Sequence, residues 1–86
     1  MKNLGEFITR IRYRRGLSQR KLATRAGISN STVHRIEKGI IKNVKPQVLR
    51  KLSDALSLPY QELLYYAGYL NEKEANFEES EKQLKL

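Results

Sequence analysis

The sequence contains no cysteine and a single histidine, so it can form neither a disulfide nor a thiolate metal site, and His34 alone cannot complete a zinc centre. No run of about eighteen apolar residues occurs, and the opening stretch MKNLGEFITR lacks the apolar core of a secretory signal. Neither membrane spanning nor export is therefore expected, and the cytoplasm is the expected location. Paired carboxylates, a nucleophile beside a base and a glycine-rich phosphate loop are also missing. With 86 residues the chain buries only about 60 to 65 per cent of its unfolded surface, enough for one modest core but not for a deep catalytic cleft. An enzyme is not expected, and no metal or cofactor is implied.

Acidic residues are scarce where basic ones are dense. Residues 1–70 carry fourteen Lys and Arg against Glu6, Glu37, Asp54 and Glu62, whereas residues 71–86 carry three Lys against five Glu. The first segment is a basic domain, and the second is a mildly acidic charged tail that could be a helix or a partner-binding segment. Charge alone admits nucleic acid, an anionic membrane or an acidic protein as partner.

Apolar periodicity divides the domain into five short helices. Leu4, Ile8 and Ile11 follow an Asn3/Glu6 capping box and share one face, with Phe7 packing beside it; Gly16 ends that helix, and Leu17 turns inward. Ser18 caps a second helix, whose apolar stripe is Leu22, Ala23 and Ala26. Gly27 then marks a sharp turn, since glycine enters the left-handed region at no steric cost. Ile28 plugs inward, and Ser29 caps a third helix in which Val33 and Ile36 face the core. Gly39 is its C-cap, and residues 40–45 form a loop. Pro46 suits a first helical turn, while Lys45 is a poor cap, so the fourth helix should fray at its start. Tyr60, Leu63, Leu64 and Ala67 describe a fifth helix ended by Gly68.

Residues 18–38, SQRKLATRAGISNSTVHRIEK, therefore place two helices across a glycine elbow, a helix-turn-helix. Small Ala23 permits a close crossing. Counted from Gln19, Ala23, Gly27, Val33 and Ile36 occupy positions five, nine, fifteen and eighteen. This pattern resembles the Cro/C1-type, or Xre-like, helix-turn-helix family to which the lambdoid phage repressors belong, and the resemblance extends over roughly residues 4–67. It implies an all-α, compact five-helix domain of bacterial or phage origin that binds double-stranded DNA, most commonly as a dimeric repressor on a pseudo-palindromic operator.

The polar side of the third helix carries the expected base contacts: Asn30, Ser31, Thr32 and Arg35. Asn matches adenine N6 and N7, Arg matches guanine O6 and N7, and Ser can donate or accept. Phosphate contacts are expected from Ser18 and Gln19 at the start of the second helix, from His34, and from Lys38, Lys42 and Lys45 beyond the third. In the related repressors this glutamine also braces the first recognition residue. The resemblance further pairs Arg12 with Glu37 beneath the DNA backbone, orienting Arg12 toward phosphate.

Tyr60, Tyr65, Tyr66 and Tyr69, with Leu70, crowd the end of the domain. They are either a dimer interface or the covered edge of a small core. The same scaffold also serves antitoxins and protein-interaction modules, for which the acidic tail would be the partner-binding segment.

Overall fold

The computed structural model describes residues 3–75. Among these residues the chain is all-helical, with α1 Leu4–Arg14, α2 Gln19–Ala26, α3 Asn30–Glu37, α4 Pro46–Leu56, α5 Tyr60–Tyr66 and a one-turn α6 Glu72–Ala75. The five expected helices stand where the periodicity places them. At α6, Asn71 Oδ1 accepts from the Glu74 N–H at 2.8 Å and Glu74 Oε1 from the Asn71 N–H at 3.0 Å, a complete capping box. The rest of the acidic tail, the candidate partner-binding segment, lies outside the described residues.

Starts and stops follow local chemistry. Asn3, Ser18 and Ser29 each accept a hydrogen bond from the backbone N–H three residues on, whereas α4 begins at Pro46 behind a Lys45 that makes no side-chain cap. Each of α1 to α5 ends in one geometry. The N–H groups of Leu17, Ile28, Ile40, Leu58 and Tyr69 reach back to the carbonyls of Arg12, Ala23, Arg35, Ser53 and Leu64 at 2.8–3.0 Å. This is the Schellman closure, which needs a left-handed residue and favours an apolar one after it. Glycine supplies the left-handed step at 16, 27, 39 and 68, and Ser57 supplies it at φ 55°. A serine there bears a steric cost of about 1 kcal/mol that glycine avoids.

The helices enclose one core. Ile8, Leu22, Leu49, Leu52, Leu56 and Leu63 are fully shielded, and Leu17, Ala23, Ala26, Val33, Ile36 and Val44 nearly so. Phe7 is buried and stacks on Tyr66, with centroids 4.0 Å apart and planes 9° from parallel. α2 packs against both α3 and α4, while α1 lies against α3 and α5. α3 is thereby supported along its inner side only.

Candidate nucleic-acid interface

Val33 and Ile36, 1% and 2% exposed, seat α3 in the core and so turn its other edge outward. Asn30, Ser31, His34, Arg35 and Lys38 lie exposed on that edge. Among the described residues, no hydrogen bond or ion pair engages the side chains of Asn30, Ser31 or Arg35. Thr32 differs: it is half-buried, and its hydroxyl lies 2.7 Å from Ser29 Oγ, which also accepts from the Thr32 N–H. Its hydroxyl serves the helix cap.

Beneath this edge lies a buried polar knot. Arg12 Nε donates to Glu37 Oε2 at 2.6 Å, Arg12 Nη2 to Glu37 Oε1 at 2.9 Å, and Arg12 Nη1 to the Leu17 carbonyl at 2.9 Å. The two side chains are only 8% and 4% exposed. The Tyr13 ring, itself on the surface, covers the guanidinium at 4.6 Å. Arg12 is thus a brace joining α1 to α3 and the turn before α2. Gln19 Nε2 donates to Glu37 Oε1 at 3.0 Å, so its amide braces the far end of α3 and not the first recognition residue.

Opposing forces act on the Glu37 carboxyl. Burial pushes its pKa up, but hydrogen bonds from Arg12 and Gln19, the Thr9 hydroxyl and the charge of Arg12 outweigh burial and hold it below the ordinary range. The hydrogen bond to Glu37 raises the pKa of Arg12, while burial works against that rise. Both groups are charged at neutral pH.

Gly5 explains how α1 comes so near. A Cβ at this position would lie 2.5 Å from the Glu37 carbonyl oxygen and 2.6 Å from that of Ile36, so the first turn of α1 rests directly on the last turn of α3. Sequence reasoning missed this approach, although a glycine inside a helix that it weakens is itself a signal of close packing.

Ser18 is exposed, and its hydroxyl caps α2 by accepting from the Lys21 N–H at 3.0 Å. Lys38, Lys42 and Lys45 are exposed at and beyond the end of α3. Between Glu6 and Glu37 the sequence holds eight Lys and Arg and no acid, and Glu37 is already matched by Arg12. The surface around α2 and α3 is left with uncompensated positive charge, which suits a polyanion.

The tyrosines are largely engaged within the chain. Tyr66 stacks on Phe7 and meets Tyr65 edge-on at 5.2 Å, Tyr60 lies under Arg50 at 4.8 Å, and Tyr69 Oη donates to the Val44 carbonyl at 2.8 Å. No cluster of His, Asp or Glu among the described residues could hold a metal ion, and no described helix is long and apolar enough to cross a membrane.

Comparison with known proteins accords with this geometry. Residues 3–64 match the family described as a helix-turn-helix domain. The chain is 40% identical over 72 residues to the HTH-type transcriptional repressor RghR of Bacillus subtilis (strain 168), covering 84% of this chain and 53% of that protein. It is 34% identical over 76 residues to the HTH-type transcriptional regulator SlrR of the same organism, covering 88% of this chain and 50% of that protein. The chain thus spans about half the length of the curated relatives it matches.

Proposed function

The chain belongs to the helix-turn-helix domain family, and from that membership we propose that it is a sequence-specific DNA-binding transcriptional regulator of the Cro/C1 type, a repressor that occupies a pseudo-palindromic operator as a dimer. The observation that carries this reading is the outward edge of α3, where Asn30, Ser31 and Arg35 stand exposed on a helix whose opposite side is locked into the core. The major groove admits one helix, and only its first turns reach the base edges. Asn30 then reads adenine, Arg35 reads guanine and Ser31 adds a hydroxyl contact. Thr32, with its hydroxyl engaged by Ser29, offers mainly its methyl group, which suits thymine.

Phosphates are held around this edge. The N–H groups at the open start of α2, beside Ser18 and Gln19, meet one strand. His34, Lys38, Lys42 and Lys45 meet the other, and Arg12 supports the arrangement from below. Two copies join through the α5 end, around Tyr65, the exposed ring of Tyr69 and Leu70, and a two-fold operator requires their recognition helices to stand about 34 Å apart.

Selection of bound duplexes from a random pool tests the proposal. The expected product is a two-fold symmetric site with at least one G in each half, and an affinity that falls roughly tenfold or more between low and physiological salt. Duplex binding that is absent or insensitive to salt would overturn it in favour of a protein-interaction module.

A further inference from the structure

We propose that Tyr69 positions the loop after α3 for its contact with DNA phosphates. The last backbone bond tying this loop to α3 is that from the Ile40 N–H to the Arg35 carbonyl, 2.9 Å, and the α4 ladder begins only with the Val48 N–H on the Lys45 carbonyl, 3.0 Å. Between them, among the described residues, the hydrogen bond that holds residues 41–44 is Tyr69 Oη on the Val44 carbonyl, 2.8 Å. Val44 is 5% exposed, and a buried carbonyl needs a hydrogen-bond partner, which the Tyr69 hydroxyl supplies.

Val44 seats one end of the loop in the core and Ile41 packs against it, but neither side chain fixes the direction of the Val44 carbonyl. The loop borders a groove of about 280 Å³ lined by Ile41, Lys42 and Val44 together with Leu4, Tyr66 and Gly68. The anchor itself is rigidly mounted. Tyr69 follows the left-handed Gly68, φ 91°, and its own N–H is bonded to the Leu64 carbonyl at 2.8 Å, so the phenol hangs from the closed end of α5. Lys42 and Lys45, both exposed, flank the carbonyl that it grips. Tyr69 is thus a positioning residue: it contacts no nucleic acid through its hydroxyl but sets where two cations of the phosphate-facing loop stand.

This inference rests on the DNA-binding reading, and its test separates the two. Binding of the full chain to a mixed-sequence duplex of about 30 base pairs, roughly three helical turns, is measured against salt concentration at a temperature where all variants are folded. Tyr69→Phe keeps the ring and removes the hydroxyl. The slope of log affinity against log salt should become shallower by about 0.9 for each phosphate that a displaced lysine no longer neutralises. In a Lys42→Gln/Lys45→Gln background, Tyr69→Phe should leave the slope unchanged. A Tyr69→Phe slope equal to that of the unaltered protein, or an equal flattening in the background without these lysines, overturns the positioning role while DNA binding stands. Absence of salt-dependent binding by the unaltered protein overturns both.

Discussion

Substitution of Gly5 by alanine sets two effects of opposite sign against each other. Within a helix, Gly→Ala ordinarily stabilises by about 0.5–1 kcal/mol, because alanine has less backbone freedom to lose on folding. Here the added methyl would lie 2.5 and 2.6 Å from two backbone oxygens, distances that real Cβ atoms do not show, and must retreat by about 0.9 Å to reach ordinary contact at 3.4 Å. The oxygens cannot yield cheaply, since they belong to the last turn of α3, which Arg12 and Gln19 clamp through Glu37. Overpacking of this kind costs about 1–3 kcal/mol. The net expectation is a destabilisation of about 1–2 kcal/mol, which for a domain of this size lowers Tm by roughly 5–15 °C. Thermal unfolding followed by far-ultraviolet circular dichroism reads the shift, and a urea titration should show a lower midpoint at an unchanged slope. A Gly5→Ala protein that melted at or above the unaltered chain would refute the close approach of α1 to α3. Gly27 provides the contrast, because a Cβ there meets nothing within 4 Å while φ is 69°. Its cost is purely conformational, so Gly27→Asn should be milder than Gly27→Ala, whereas no L-residue should relieve Gly5.

Replacing Glu37 by alanine leaves the Arg12 guanidinium buried without its partner, and should cost about 3–5 kcal/mol in chemical denaturation. Glu37 also carries a pH signature. Its pKa is lower folded than unfolded, so its contribution is fully present above the ordinary value of 4.5 and disappears as pH falls through the folded value. The stability of the unaltered chain should therefore decline below that pH more steeply than that of Glu37→Gln, and parallel acid profiles would contradict the depressed value. Arg35→Ala should remove discrimination at one base pair by about 1–3 kcal/mol in competition binding. An equal loss on every duplex would reassign Arg35 to phosphate.

Sequence alone determined the local chemistry of this protein. Hydroxyl and amide caps at Asn3, Ser18 and Ser29, glycines at 16, 27, 39 and 68, and apolar spacing within each segment set where helices begin and end and which face is buried, because those effects act within one helical turn. The same locality made the outward edge of α3 legible. Ser57, which closes α4 without a glycine, carried no such mark. The tyrosines were ambiguous because an amphipathic ring suits an interface and a core edge equally. The pairing of Arg12 with Glu37 across 25 positions was legible only through the family resemblance, and tertiary structure decided what periodicity cannot encode: that Glu37 also receives Gln19 from 18 positions away, that Gly5 rests on the carbonyls of α3, and that Tyr69 grips Val44. A repeating pattern specifies which face of a helix is buried, but only the crossing and stagger of packed helices determine which atoms on those faces come within about 3 Å, the reach of a hydrogen bond.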